Sequence, residues 1–117
     1  MLNCCDGGKL TIFVQKVCVL VDDMADTCGT LQLAAETLME KGAAAIYAAV
    51  SHGVLSGPAI KRIEQSPIKE LMISNSIPQH ENVKITKKIK VIDIAPMMAE
   101  AIRRIHNGES ISVLFSM

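Results

Sequence analysis

The chain has no tryptophan, one tyrosine and two phenylalanines among 117 residues. Unpaired bases stack on aromatic rings, so this supply argues against a platform for single-stranded nucleic acid. Net charge is missing as well, because twelve basic residues balance twelve acidic ones. No broad field therefore draws the chain to nucleic acid or to an anionic membrane, and Lys84, Lys87, Lys88 and Lys90 read as a solvated loop or edge. The four cysteines, Cys4, Cys5, Cys18 and Cys28, have neither zinc-site spacing nor the density of a disulfide scaffold. A reducing, cytoplasmic compartment fits them. The longest apolar stretch, Leu10 to Val21, is interrupted by Gln15 and Lys16 and is too short to cross a bilayer. It also lacks a basic leader and a small-residue cleavage site, so no secretory signal is expected. No internal repeat or low-complexity linker divides the chain.

What is present is alternation. Val17 to Val21 is a continuous apolar run, as in a strand covered on both faces of a parallel sheet. Leu31, Ala34, Ala35, Leu38 and Met39 then recur at helical spacing, and Lys41-Gly42 supplies a closing charge and a left-handed cap. Ala45 to Val50 reads as the next strand. Pro58 suits the first turn of a short helix with Ala59, Ile60 and Ile63 inward. Strands follow at about Glu70 to Ser74 and Lys90 to Ile94, joined by a polar connection. Pro96 starts a last helix whose Met97, Met98, Ala101, Ile102 and Ile105 form an apolar stripe ending at Asn107-Gly108. The methionines are read as core filler. This order predicts an α/β fold with a mainly parallel sheet and right-handed crossovers. At this length it makes one domain with half its residues apolar and little spare stability.

The densest chemistry follows the first strand. Asp22 and Asp23 stand where an open parallel sheet binds ligands, just past the carboxyl end of a strand. Two adjacent acids there face hydroxyl groups or a divalent cation more readily than the core. Asp26, Thr27, Cys28, Gly29 and Thr30 then supply consecutive N–H groups, short hydroxyls and a glycine where the next helix begins. Free N–H groups and the positive end of the helix dipole make such a turn an anion cradle. Gly29 permits close backbone approach, and Thr27 and Thr30 offer hydroxyl donors. Cys28 is expected to be accessible in this cradle, with the dipole favouring thiolate and the nearby acids opposing it. His52 serves equally well as a ligand-facing group or a turn histidine, and dipole complementarity accounts for Arg103 and Arg104.

The string Val19-Leu20-Val21-Asp22-Asp23-Met24-Ala25-Asp26-Thr27-Cys28-Gly29-Thr30 resembles the phosphoribosyl diphosphate loop of type I phosphoribosyltransferase-like proteins. Four further blocks match in order: His52 to Ala59, Asn75 to Gln79, Val91 to Ile94, and Ala99 to Ser110. Together they resemble the ribose-phosphate pyrophosphokinase family, from about Val17 to Phe115 and over its carboxyl-terminal portion alone. The resemblance implies a three-layer, mainly parallel, phosphoribosyltransferase-like domain, partial here, over residues 17–117 after a divergent segment at 1–16. It implies conversion of ATP and ribose 5-phosphate to AMP and phosphoribosyl diphosphate with Mg²⁺. In that reading Asp26 to Thr30 hold the 5-phosphate, and Asp22 and Asp23 orient the ribose hydroxyls. Ser110, Ser112 and Phe115 match an allosteric site for phosphate or ADP at a subunit interface, which implies homo- or hetero-oligomers with related subunits. The family's ATP-binding segments, main Mg²⁺ ligands and catalytic Lys and Arg fall outside the matched portion, so ribose 5-phosphate binding without independent turnover is expected. A phosphoribosyltransferase and a non-catalytic regulatory or remnant subunit are the alternatives.

Overall fold

The computed structural model describes residues 15–116. All but the last two residues of the divergent segment lie outside that range, as do Cys4 and Cys5. The order is β1 (Val17–Ala25), α1 (Gly29–Glu40), β2 (Ala45–Gly53), α2 (Ala59–Gln65), β3 (Ile68–Ser74), α3 (Asn82–Ile85), β4 (Ile89–Ile92) and α4 (Ala95–His106). A short 3₁₀ turn, Ser112–Phe115, follows. Gly42, at φ 87°, takes the left-handed position that ends α1. The alternation expected from the sequence is present, and the polar connection before β4 contains the single turn of α3.

All four strands are parallel and stand in chain order, β1-β2-β3-β4. Register aligns Leu20 with Ala48, Ala48 with Leu71, and Leu71 with Ile89. This row is buried on every strand and packs with Leu31, Ala35 and Leu38 of α1 and Ala59 and Ile63 of α2. One face of the sheet thus carries the helices and the core.

The opposite face differs. Val17, Val19 and Val21 are 63%, 54% and 63% exposed, so β1 is an edge strand open on one side instead of covered on both. Topology supplies the reason. Right-handed crossovers that always step in the same direction place every connection on the same face, and covering the other face needs a reversal of strand order. Among the described residues the order never reverses.

The last helix also departs from the sequence reading. Its apolar stripe was expected to point inward, yet α4 buries no residue, and Met97, Met98, Ile102 and Ile105 are exposed. Met24 and Met39 are exposed too, so the methionines are not uniformly core filler. Lys88 shows the reverse correction. Expected in a solvated edge, it is half-buried, and its Nζ donates to the carbonyls of Ile63, Glu64 and Ser66 at 3.0, 3.0 and 2.9 Å. An ammonium with three donors thereby closes the carboxyl end of α2, where the helix dipole is negative.

Candidate functional site

Alternation along β1 separates the paired acids. Asp22 lies opposite Val50 in the register, on the helix-covered face, whereas Asp23 is one position on and belongs to the open face. A cavity of about 240 Å³ opens between the end of β1 and the start of α1. Asp22, Asp26, Thr27, Cys28, Gly29 and Thr30 line it together with Met24, Ala25, Leu31 and Val50. Asp23 is not among the lining residues. Its backbone N–H instead donates to Asp22 Oδ1 at 2.9 Å, and this bond holds the Asp22 carboxyl below its usual range.

The loop from Asp26 to Thr30 is shaped by what holds its back. Val54 and Leu55 N–H both donate to the Ala25 carbonyl, at 2.9 and 3.0 Å, and Ser56 N–H donates to the Asp26 carbonyl at 3.1 Å. Ser56 Oγ also donates to Asp26 Oδ1, so that carboxylate is partly satisfied within the protein. Arg62 of α2 donates from Nη1 to the Thr27 carbonyl at 2.9 Å. Cys28 then turns left-handed, with φ 60° and ψ 16°, and α1 starts at Gly29. The first helical hydrogen bond of α1 runs from Gln32 N–H to the Cys28 carbonyl at 3.0 Å, and no side chain caps the helix. The N–H groups of Gly29, Thr30 and Leu31 precede it and have no carbonyl of their own helix to reach. They form the donor end of the cavity.

Cys28 is buried, only 5% exposed, rather than accessible. Its thiol is pushed up to about 11, chiefly by burial, with the Arg62 charge opposing and Asp26 adding to the rise. Desolvation outweighs the Arg62 charge here because the side chain packs into the core. Gly29 is tight for a reason the sequence did not disclose: a Cβ there would stand 3.2 Å from Arg62 Nη1.

A second polar cluster joins the ends of β2, β3 and β4. His52 Nδ1 and Ser76 Oγ are 2.8 Å apart, and Ser74 Oγ donates to the Ser51 carbonyl at 2.6 Å. Asn75 Nδ2 donates to Asp93 Oδ1 at 2.7 Å, and Ala95 N–H donates to the same oxygen at 3.0 Å. Those bonds, the backbone one first, hold the Asp93 carboxyl low. Gln79, buried, donates from Nε2 to the Gly53 carbonyl at 2.6 Å. The blocks singled out in the sequence thus brace one another, and His52, at the end of β2, is held to Ser76 beyond β3.

Ser110, Ser112 and Phe115 lie away from the cavity lining, in the segment after α4. The two hydroxyl oxygens are 2.7 Å apart, and Phe115 is 79% exposed. Arg103 pairs with Glu100 and Glu109 at 2.9 Å each, and Arg104 Nε pairs with Glu100 at 2.7 Å. This clamp pulls the Glu100 carboxyl to about 2, mainly through its hydrogen bond from Arg103. Both arginines therefore have specific partners besides the helix dipole. Among the described residues no cluster of three or more His, Cys, Asp or Glu could hold a metal ion, and no helix is long and apolar enough to cross a membrane.

Sequence reasoning missed Ser56 and Arg62. Ser56 lay inside a recognised block and could have been found, whereas Arg62 is one charge in a short helix with no spacing signal.

Comparisons with known proteins agree on one family. Residues 10–116 match the family model described as the phosphoribosyl synthetase-associated domain. The chain is 56% identical over 101 residues to ribose-phosphate pyrophosphokinase 2 of Schizosaccharomyces pombe, covering 86% of this chain and 32% of that protein. It superposes on the crystal structure of phosphoribosylpyrophosphate synthetase from Mycobacterium smegmatis with a TM-score of 0.79 and 36% identity, covering 85% of this chain and 33% of that one. The chain spans about a third of the length of these relatives.

Proposed function

Because the chain belongs to the ribose-phosphate pyrophosphokinase family and carries its phosphoribosyl synthetase-associated domain, we propose that it supplies the ribose 5-phosphate site of a ribose-phosphate diphosphokinase. The observation that carries this reading is the cavity itself. One acid at the strand end and an uncapped helix start line the same space of about 240 Å³, so a hydroxyl acceptor and phosphate donors face one cavity. The 5-phosphate takes the N–H groups and hydroxyls of Thr27 to Thr30, and Asp22 takes the ribose hydroxyls. Asp23, on the open face, contributes by orienting Asp22.

The diphosphoryl group moves from ATP to the ribose 1-hydroxyl, a reaction in which protein groups position the reactants and stabilise charge. This chain's part is positioning. Mg²⁺ expected of the family would be held mainly by substrate phosphates and one or two carboxylates, and Asp22 and Asp26 do not make a cage by themselves. Ser110, Ser112 and Phe115 are proposed as this chain's share of an allosteric phosphate or ADP site completed by related subunits. The exposed stripe of α4 favours such co-assembly, for which a cytoplasmic setting is proposed, and a regulatory, non-catalytic subunit is the second reading.

Calorimetry and an AMP-release assay test the proposal. The expected result is weak binding of ribose 5-phosphate to the 117-residue chain with negligible AMP production, and Asp22→Asn chiefly narrowing the preference for ribose over deoxyribose 5-phosphate. No binding to the folded chain would refute the sugar-phosphate reading.

A further inference from the structure

The back of the phosphate loop is held from one direction. Ser56 N–H takes the Asp26 carbonyl at 3.1 Å, and Arg62 Nη1 takes the Thr27 carbonyl at 2.9 Å. In a trans peptide the C=O of one residue and the N–H of the next point in opposite directions. Fixing the carbonyls of Asp26 and Thr27 toward Ser56 and Arg62 therefore fixes the N–H groups of Thr27 and Cys28 away from them.

Three further features bear on Arg62. It is half-buried and absent from the cavity lining, and it meets the loop at the Thr27 carbonyl, opposite the Cys28 N–H of the same peptide. Its guanidinium fills the space that a Cβ on Gly29 would need, at 3.2 Å from Nη1. It also sits on a helix whose carboxyl end is tied to Lys88 by three hydrogen bonds, which keeps its backbone from drifting.

We propose that Arg62 is a positioning residue for the anion loop: it holds the Thr27 carbonyl so that the Cys28 N–H, beside the Thr27 N–H set by Ser56, faces a bound phosphate. The inference rests on the sugar-phosphate reading above and adds a residue to it. A guanidinium suits the task better than an ammonium because its planar, charged fork holds a carbonyl at fixed geometry. The positive charge also lies behind the loop, where it favours the bound anion without touching it.

The test uses the full chain with ribose 5-phosphate and, separately, inorganic phosphate as probes. Arg62→Ala should weaken binding of both by about tenfold, the scale of losing one charge-assisted hydrogen bond. Arg62→Lys should fall in between, and millimolar guanidinium ion added to Arg62→Ala should restore most of the loss. A purely structural role would not give that rescue. Backbone amide NMR supplies a readout that needs no ligand: the Cys28 N–H resonance, whose peptide carries the Thr27 carbonyl, should shift in Arg62→Ala while β2 and β3 amides stay in place. Unchanged binding in Arg62→Ala, or weaker binding that guanidinium does not restore, would overturn the proposal. Should the wild-type chain bind neither probe, the sugar-phosphate reading fails, and the Cys28 amide shift alone then judges the positioning role. An unchanged Cys28 amide resonance would reject that role as well.

Discussion

Two helices of the same length divide this molecule. α1 and α4 both have 12 residues, but α1 buries Leu31, Ala35 and Leu38, whereas α4 buries none. The difference does not come from pattern. The sequence of α4 separates Met97, Met98, Ala101, Ile102 and Ile105 from Glu100, Arg103 and Arg104 more cleanly than α1 separates its own faces. What differs is the surface offered to each: α1 crosses between β1 and β2 and meets the row of Leu20 and Ala48, while α4 leaves the edge strand β4. Periodicity records that a helix was built for a partner, not that the partner lies within the chain.

The sharpest way to break this contrast is a pair of isoleucine deletions. Ile63 of α2 is completely buried in the core shared with α1 and Ile102 of α4 is 69% exposed. Ile63→Ala should cost about 2–5 kcal/mol through lost burial and a cavity. Ile102→Ala should change stability by less than about 0.5 kcal/mol, as exposed substitutions do. Urea unfolding of the two variants measures both. Comparable losses would mean that α4 is packed in solution, against a second copy or another part of the chain.

A smaller effect sharpens the same comparison at helix ends. The carboxyl end of α2 is closed by a lysine from β3's neighbouring connection, so it depends on tertiary structure, whereas the end of α4 is closed by its own residues. Lys88→Met keeps the apolar stem and removes the three donors to Ile63, Glu64 and Ser66. The expected cost is about 1–3 kcal/mol, because carbonyls that shared a charged donor are left to water or to nothing. Thermal melts of Lys88→Met and Lys88→Arg would check it, with the arginine variant recovering part of the loss.

The legible parts of this fold were those governed by local rules. Element order followed from apolar periodicity and from Pro58, Pro96 and Gly42, and the cavity followed from Asp22 and the run Asp26 to Thr30. The illegible parts depended on what stands behind a residue. Asp22 and Asp23 looked equivalent until strand alternation put them on opposite faces. Cys28 looked accessible because a loop before a helix is commonly solvated, but its left-handed backbone turned the thiol inward. Lys88 looked like surface charge because no spacing rule connects it to the end of α2. The open face of β1 was hidden for a broader reason: an apolar run says that a strand is covered, and strand order decides from where.

The smallest expected effect lies at the exposed end of α4. Glu100 accepts from Arg103 and Arg104, and Arg103 also reaches Glu109, tying the last turn of the helix to the segment that holds Ser110 and Ser112. The Glu100 carboxyl is pulled from 4.5 to about 2, by the Arg103 hydrogen bond first, and the Glu109 carboxyl is lowered in the same way. A depressed carboxyl favours the folded form while it is ionised, so this contribution is complete above about pH 4.5 and fades as pH falls toward 2. Solvent screens a pair this exposed, and added salt should shrink the effect. Carboxyl-carbon NMR titration at low ionic strength should therefore find Glu100 still ionised at pH 3.5, with Arg103→Gln returning its midpoint toward the ordinary glutamate value. The core row of Leu20, Ala48, Leu71 and Ile89 holds no ionisable group and should not respond over that range. If Glu100 titrates normally in the wild-type chain, the clamp does not persist in solution, and the backbone bonds from Gly108 and Glu109 to Ile105 and Arg104 are left to close the end of α4.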